Sequence, residues 1–304
     1  MTGSRLQLQD RPEAAEIARL SEQNRRRADA ATEAKLVAMR REAGAALRSA
    51  AANLTAPEYP DPFVGCKALP EISAEELNAA LLGGALLHHG SLLVRGLYNG
   101  GQLQHLRQLA TRQEAVDRED HSPLGTSPHT LFELLETYRQ CGLLGAVSDY
   151  LDGQPLLFAE RAKLRQHRAD THKYAAIPWH QDASFFGRKS WAVNCWAAVT
   201  PCGDGNPGLA IIPRRSEDYL GWNPADGRAP LDYGNAMPEQ ELAALGDGHP
   251  AVEVVLQPGD ALLFDEMTVH RTNPRPWRLQ QQIVTISWFF RAAGFPDWGT
   301  PLAV

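Results

Sequence analysis

Residues 251–264 read Ala-Val-Glu-Val-Val-Leu-Gln-Pro-Gly-Asp-Ala-Leu-Leu-Phe, which is two short apolar runs joined by a Pro-Gly-Asp turn. Several short strands with turn signals between them predict a β-sandwich or barrel. No helical pattern of ten residues separates such runs, which disfavours the parallel sheet of a dinucleotide-binding fold. We therefore expect a mainly β fold with flanking α-helices. The other runs of this kind lie at 156–164, 190–199, 209–212 and 282–290.

The N-terminal part of the chain is helical in character. Residues 12–54 contain one proline and one glycine among strong helix formers, and they predict one or two helices packed on the main domain or on a partner subunit. Four prolines follow within 56–70, which excludes regular helix there. We expect a helical N-terminal extension at 1–55 and a main domain at 56–304. The extension would also allow a homo-oligomer.

Further helices are expected to buttress the β domain. Ser73-Ala-Glu-Glu76 has the pattern of a capping box and predicts a helix that opens there and runs through Leu82. Two more helical stretches are predicted at 102–114 and 131–150, and a short β-type run is predicted at 90–95.

Composition excludes several classes of protein. The 304 residues carry a net charge of −6 and the pI is about 5.9, whereas phosphate binding by a nucleic-acid-binding protein needs an excess of Lys and Arg. No apolar run approaches the ~18 residues of a membrane span. The four cysteines form no Cys-x-x-Cys pair and are expected to be free thiols. The N-terminus is rich in Arg and Ala but also carries acids, which transit peptides lack, so a cytoplasmic protein is expected.

Gly203-Asp-Gly-Asn-Pro-Gly208 matches the G-x-G-x-x-G pattern of dinucleotide-binding loops. In that fold the loop must open a helix whose N-terminus meets the pyrophosphate. Here a strand-like run ending at Pro213 follows instead. The motif is therefore interpreted as a turn between two strands.

His180-Gln-Asp182 is the most informative polar motif. In an extended segment residues i and i+2 point to one face, so the imidazole and the carboxylate converge while Gln181 points away. His270, which follows the apolar run at 261–264, could bring a third ligand to the same site. Two histidines and one carboxylate leave other metal positions open, as in non-heme Fe(II) oxygenases. Zinc is the competing metal, but the His-Glu-x-x-His motif of helical catalytic zinc sites is absent from the sequence.

Five blocks of sequence together resemble the phytanoyl-CoA dioxygenase family in order and spacing. The resemblance covers the chain from about Gly90 to the C-terminus, and nothing in 1–55 contributes to it. The blocks are Trp179-His-Gln-Asp-Ala-Ser-Phe-Phe186, Val193-Asn-Cys-Trp-Ala-Ala-Val199, Asn206-Pro-Gly-Leu-Ala-Ile-Ile-Pro-Arg-Arg-Ser216, Pro258-Gly-Asp-Ala-Leu-Leu-Phe264 and His270.

This resemblance implies an Fe(II)- and 2-oxoglutarate-dependent oxygenase on a double-stranded β-helix, a jelly-roll or cupin-like architecture. It implies His180, Asp182 and His270 as iron ligands and places a hydroxyl residue, Thr272, beside the cosubstrate. The reaction implied is hydroxylation of a small organic molecule by O₂, coupled to decarboxylation of 2-oxoglutarate. Halogenases of the family have Ala or Gly where this chain has Asp182, so hydroxylation is expected rather than halogenation.

The anchor for the second carboxylate of 2-oxoglutarate departs from the family pattern. A buried carboxylate needs a cationic partner, and arginine suits this best. The family has arginine where this chain has Gln282, twelve residues after His270. Arg278 shares the strand face of Gln282 and is predicted to pair with the carboxylate, with Thr272 and Gln282 beside it. The alternative is an exposed Arg278 with Gln282 alone in the site.

The sequence does not specify the substrate, and it leaves two alternative functions open. Six aromatic residues could wall the site or belong to the core: Trp191, Trp196, Phe185, Phe186, Trp288 and Phe290. Four cations could meet an anionic substrate or lie on a solvated strand edge: Arg161, Lys163, Arg165 and Arg168. The alternatives are a cupin-like, non-catalytic binding protein and a non-heme iron oxygenase that does not use 2-oxoglutarate.

Overall fold

The computed structural model describes residues 7–51, 58–120, 127–168, 177–187, 190–218, 239–245, 248–273, 278–279 and 281–304. The helices in these ranges are α1 (Ala14–Arg26), α2 (Ala30–Ala50), α3 (Ala79–His89), α4 (Gly100–Asp120), α5 (Pro128–Gln140), α6 (Leu143–Tyr150), α7 (Ala183–Phe186) and α8 (Glu239–Leu245). The strands are β1 (Glu71–Ser73), β2 (Ser91–Arg95), β3 (Leu156–Phe158), β4 (Lys163–Arg168), β5 (Ala192–Ala198), β6 (Gly208–Arg215), β7 (Val252–Glu253), β8 (Ala261–Asp265), β9 (Thr268–Asn273), β10 (Gln281–Phe290) and β11 (Pro301–Ala303).

The fold is mixed α and β rather than mainly β. More of the described residues lie in helices than in strands, because the helices that cover the sheet are long and the strands are short. The two longest helices, α2 and α4, have 21 residues each. None of the helices in the described ranges combines the length and the apolar character needed to cross a membrane.

The large sheet has eight strands. Their order is β1-β2-β8-β5-β10-β3-β11, and β4 also pairs with β10. The strand pairs are antiparallel except β1 with β2. The run at 156–164, predicted as one strand, is split into β3 and β4 by a 3₁₀ turn at Ala159–Arg161, and both pieces pair with the same strand, β10.

The small sheet consists of β7, β6 and β9, with β6 in the middle. Strand β9 was not predicted: the sequence placed His270 beyond a strand, whereas the structure places it within one. The polar residues of Thr268–Asn273 conceal this strand, because five of its six side chains are polar or charged.

The two sheets pack against each other. Leu262 and Phe264 of β8 face Leu209 and Ile211 of β6 in one apolar cluster between the sheets. The alternate residues of β8, such as Leu263, join a second cluster with the helices α3 to α6. Both faces of β8 are therefore buried, which explains why its sequence is continuously apolar instead of alternating.

The N-terminal segment forms two helices that pack on the edge of the large sheet. The Asp29 carboxylate accepts hydrogen bonds from the backbone N–H groups of Ala31 (3.1 Å) and Thr32 (2.9 Å), which caps α2 and separates it from α1. Apolar residues of both helices, such as Ile17 and Leu36, are buried in a cluster that contains residues of β3, β10 and β11. These apolar side chains are thus buried within the chain itself.

Two predicted helix boundaries are wrong. Glu76 accepts hydrogen bonds from the backbone and hydroxyl of Ser73, so the capping box forms, but it opens only a short 3₁₀ helix. Helix α3 begins later, at an Asn78 cap, and runs beyond Leu82 to His89. The helix predicted at 131–150 is interrupted by Gly142, whose φ of 80° ends α5 and precedes α6.

The G-x-G-x-x-G motif is a turn, as predicted. Gly203 and Gly205 have φ values of 72° and 87°, and Gly208 begins β6. The loop therefore joins β5 to β6 and opens no helix. All four cysteines are free thiols, also as predicted.

Candidate metal centre and its cavity

His180 and His270 lie opposite each other in an isolated antiparallel bridge. Each backbone N–H donates to the other residue's carbonyl oxygen at 3.0 Å. Residues paired in this way have side chains on the same face, close together. The two imidazole centroids are 4.3 Å apart. The segment that begins at Ile177 and contains His180 thus pairs with β9 and extends the small sheet.

Both histidines are fixed in the same tautomer by backbone carbonyls. The Nδ1 of His180 lies 2.7 Å from the carbonyl oxygen of Pro178, and the Nδ1 of His270 lies 3.0 Å from that of Thr268. Since a carbonyl only accepts, each Nδ1 carries the proton and donates. In the neutral imidazole this tautomer leaves a lone pair on Nε2, which is the form that binds a metal.

Asp182 reaches the same point from a turn, not from an extended strand. Its backbone is in the right-handed helical region (φ −62°, ψ −27°) and it caps the short helix α7. Gln181 points away, as predicted, and its side-chain amide donates to the carbonyl oxygens of Met267 (2.8 Å) and Asp218 (3.1 Å). The side chains converge as expected, although the local conformation that brings them together differs.

The two carboxylate oxygens of Asp182 have different surroundings. Oδ2 accepts hydrogen bonds from Trp288 Nε1 (2.8 Å) and Asn194 Nδ2 (3.2 Å). Oδ1 lies 3.7 Å from His180 Nε2 and 3.9 Å from His270 Nε2. Burial opposes ionisation, but the neighbouring imidazoles and the hydrogen bond from Trp288 outweigh it and lower the pKa of Asp182 to about 2. The carboxylate is therefore ionised at neutral pH.

The donor set fits a divalent metal ion with open coordination positions. Burial and the neighbouring His180 lower the pKa of His270 to about 4, so its imidazole is neutral. One ligand atom from each of His180, Asp182 and His270 lies within 4.8 Å of the others. Two imidazoles and one carboxylate on one side of an ion form the facial arrangement typical of non-heme Fe(II) sites.

The three ligand residues lie in the wall of a cavity of about 860 Å³ that is open to solvent. Of the six aromatic residues that could wall the site or belong to the core, Trp191 and Phe290 are in the core and do not line the cavity. Thr272 lines the cavity. The aromatic lining consists of Phe185, Phe186, Trp196, Phe264, Trp288 and Trp298, and the cationic lining consists of Arg161, Lys163 and Arg165. The side chain of Arg168 lies outside the described residues.

Neither residue predicted to anchor the cosubstrate carboxylate lines the cavity. The Arg278 side chain is 67% exposed, and its Nη1 lies 3.5 Å from Asp204 Oδ2. Its backbone N–H donates to the carbonyl of Gly205, so the turn before β10 directs the side chain outward. Gln282 is buried, and its amide donates to the carbonyl oxygen of Pro207. The prediction that Arg278 faces the cosubstrate therefore lacks support from its position.

Sequence reasoning missed the two donors that hold Asp182. Asn194 and Trp288 lie opposite each other on β5 and β10, and Asn194 lies opposite Phe264 of β8. Alternation along β5 predicts that Asn194 and Trp196 share one face, and alternation along β10 predicts that Trp288 and Ile286 share one face. The register between the strands was needed to bring the two donors together beneath Asp182.

Comparison with known proteins identifies the family. The sequence profile described as phytanoyl-CoA dioxygenase matches residues 86–275. The structure of EctD from S. alaskensis with 2-oxoglutarate and 5-hydroxyectoine aligns with a TM-score of 0.55 at 17% identity, over 82% of this chain and 87% of that chain. EctD with bound Fe aligns with a TM-score of 0.54 at 15% identity, over 79% and 86% of the two chains. No curated protein matches the sequence significantly.

At these identities the solved structures indicate a shared fold and nothing more specific. The sequence profile carries the assignment, since it matches more than half of the chain and spans both the His180-Gln-Asp182 motif and His270. The chain belongs to the phytanoyl-CoA dioxygenase family.

Proposed function

We propose that this chain is an Fe(II)- and 2-oxoglutarate-dependent dioxygenase that hydroxylates a C–H bond of a small organic molecule. The observation that best supports this is the convergence of His180 Nε2, His270 Nε2 and Asp182 Oδ1 at one cavity. The lining of this cavity, which is largely aromatic and carries a few polar groups, is of the kind that binds small molecules. When bound, iron and 2-oxoglutarate together would supply the oxidising chemistry, in which the keto acid is converted to succinate and CO₂.

The residues of the chain would hold and orient the reactants. His180, Asp182 and His270 would bind the metal ion, and Trp288 and Asn194 would keep Asp182 in one orientation through the hydrogen bonds to Oδ2. Thr272 would donate a hydrogen bond to the cosubstrate. The aromatic walls would exclude water and position an apolar part of the substrate next to the metal.

The proposal extends to the architecture. The two packed sheets would be the two halves of a double-stranded β-helix formed by 56–304, and 1–55 would be an extension that buttresses it. Four free cysteines agree with a reducing compartment such as the cytoplasm.

Hydroxylation is the expected outcome rather than halogenation. Asp182 occupies the position that a halide would need at the metal, and two hydrogen bonds hold it there. We expect an oxygenated product in the presence of chloride, and a chlorinated product would contradict this assignment.

The test combines succinate release with a product screen. Purified protein is incubated with Fe(II), ascorbate, O₂ and 2-oxoglutarate, succinate is quantified, and mass spectrometry searches a small-molecule library for products that have gained one oxygen atom. The wild-type protein should release succinate, and Asp182→Ala should lose both bound iron and succinate release. Iron binding without succinate release would favour an oxygenase that uses another cosubstrate. Absence of both would favour a non-catalytic binding protein.

A further inference from the structure

The cavity has an excess of positive charge on one wall. Three cations, Arg161, Lys163 and Arg165, line it from β4 and the turn that precedes β4. The single carboxylate among the described lining residues is Asp182, which faces the two histidines and already accepts two hydrogen bonds. A partly buried cation is stable only when an anion or other acceptor compensates for its lost hydration. The positive charge of this lining favours an anionic ligand against β4.

The strand register places one of these cations a single step from the metal ligands. Trp288 of β10 contacts Asp182, and Ile286 lies two residues before it on the same face. Lys163 of β4 pairs with Ile286. Two residues of a strand span about 7 Å. Lys163 therefore lies one strand step away from Trp288, the residue of β10 that holds Asp182.

Thr272 lies on the small sheet, one step of two residues from His270. This step points in the same direction as the step from Trp288 to Ile286 on the large sheet. Thr272 follows His270 by two residues on β9 and lines the cavity. The step from Trp288 to Ile286 on β10 and the step from His270 to Thr272 on β9 point in the same direction. This follows from Gln282, which lies further along β10 on the same face as Ile286 and donates a hydrogen bond to the carbonyl oxygen of Pro207. Pro207 precedes Gly208, which pairs with Asn273 at the far end of β9. Lys163 and Thr272 therefore face the same part of the cavity.

We propose that Lys163 binds the distal carboxylate of 2-oxoglutarate in this chain, in place of the arginine that is missing from the start of β10. This inference rests on the proposed function. A five-carbon keto diacid held at the metal through its first two carbons carries its second carboxylate about one strand step away. An ammonium group at that point compensates a carboxylate removed from water, and the Thr272 hydroxyl offers a second donor.

The surroundings of Lys163 favour it over the other cations. The Lys163 ammonium forms no hydrogen bond or ion pair within the part of the chain that the structure describes, and burial, followed by repulsion from Arg165 and Arg161, lowers the pKa of Lys163 to about 8. An anionic ligand would relieve this repulsion. The guanidinium of Arg161 lies 5.9 Å from the ring of Trp298, which is 48% exposed, so Arg161 is at the rim of the cavity. Arg165 pairs with Val284 and is one step farther from the triad than Lys163.

The test compares two keto acids that differ only at the distal end. 2-Oxopentanoate has the same carbon chain as 2-oxoglutarate, with a methyl group where the distal carboxylate would be. Dissociation constants of both are measured by calorimetry on the full chain loaded with Mn(II), without turnover. The wild-type protein should bind 2-oxoglutarate about tenfold more tightly or better, since a hydrogen bond to a charged group is worth at least that factor.

Lys163→Met should abolish this preference by weakening 2-oxoglutarate binding about tenfold or more while leaving 2-oxopentanoate binding unchanged. Lys163→Arg should restore most of it, and Arg278→Gln, which changes an exposed cation outside the cavity, should have no effect. Unchanged preference in Lys163→Met overturns the inference, as does loss of the preference in Arg165→Met alone. If the wild-type protein binds neither keto acid, the proposed function itself fails.

Discussion

Asp182 illustrates how much of the site depends on single atoms. One of its carboxylate oxygens faces the two histidines, while the other is held by Trp288 and Asn194. We expect both donors to influence a bound metal ion through Asp182. They act as positioning residues, because they prevent the carboxylate from rotating and keep the free oxygen directed at the site.

The hydrogen bond from Trp288 can be removed without removing an aromatic ring. Trp288→Phe deletes the indole donor to Asp182 Oδ2 and should weaken metal binding about 10- to 100-fold, which is the usual effect of losing a partner of a metal ligand. Metal affinity is measured by competition with a chelating dye. Trp191→Phe is the matched control, since the indole of Trp191 donates to the Tyr150 hydroxyl at 3.2 Å and does not line the cavity. Equal metal affinities in both variants would show that the bond to Asp182 is unimportant.

At the scale of secondary-structure elements, the contact between α2 and β11 joins the N-terminal helices to the large sheet. Gly44, in the middle of α2, permits this contact: a Cβ atom there would lie 2.6 Å from the backbone oxygen of Pro301. The helix also donates a hydrogen bond from Arg40 to the carbonyl oxygen of Ala303 at 2.7 Å. Glycine destabilises the interior of a helix, but the close approach of the two backbones explains its presence at position 44.

Gly44→Ala separates helix propensity from packing. Alanine favours a helix by up to about 1 kcal/mol, whereas overpacking costs about 1–3 kcal/mol, so we expect a net decrease in the free energy of unfolding. The measurement is unfolding by denaturant. The matched control is Gly145→Ala in α6, where an added Cβ meets no atom within 4 Å, and which should stabilise the protein. Stabilisation by both substitutions would contradict a tight contact between α2 and β11.

At the scale of the whole molecule, a buried acidic turn connects the two sheets. Asp265 ends β8 of the large sheet, Glu266 follows it in the turn to β9 of the small sheet, and Arg215 of β6 forms an ion pair with Asp265. Glu266 also binds the segment that follows Asp182, since its carbonyl oxygen accepts from the Ala183 backbone at 2.8 Å. Burial, followed by repulsion from Asp265, raises the pKa of Glu266 to about 8.

This shift makes the stability of the protein depend on pH. The folded state keeps the proton of Glu266 up to about pH 8, whereas the unfolded chain loses it near the ordinary value of 4.5. Because the folded state binds more protons in this window, the contribution of Glu266 to stability is fully present below about pH 4.5 and is lost as the pH rises through 8.

Glu266→Gln should remove this dependence, because an amide resembles the protonated acid and can still accept the hydrogen bond from the Ala192 backbone. The free energy of unfolding of the metal-free protein, measured by denaturant at several pH values, should fall more steeply with pH in the wild type than in the variant. The difference is at most about 1.4 kcal/mol per pH unit for one group. Parallel curves would show that Glu266 is already ionised in the folded protein.

Several features of the secondary structure could be predicted from residues that are neighbours in the sequence. The break between α1 and α2 follows from Asp29 as a helix cap, and the turn at Gly203–Gly208 follows from its glycines and the strand that comes after it. Strand β9 was not predicted because most of its residues are polar, two of which, His270 and Thr272, line the cavity, whereas a buried strand is usually recognised by apolar residues. The anchor at Arg278 was inferred from parity along one strand, and parity does not say whether a turn directs that side chain inward or outward.

The sequence by itself determined the candidate metal-binding residues, because their chemistry is distinctive and His180 and Asp182 lie two positions apart. It also determined that short strands separated by turns follow a helical N-terminal part. Only the tertiary structure decided which side chains surround those ligands: Asn194, Trp288 and Lys163 come from three strands that neighbour one another in the sheet. The physical reason is that strand pairing and register are long-range properties, set by burial across the whole sheet, whereas caps, turns and short motifs depend on neighbours in the chain.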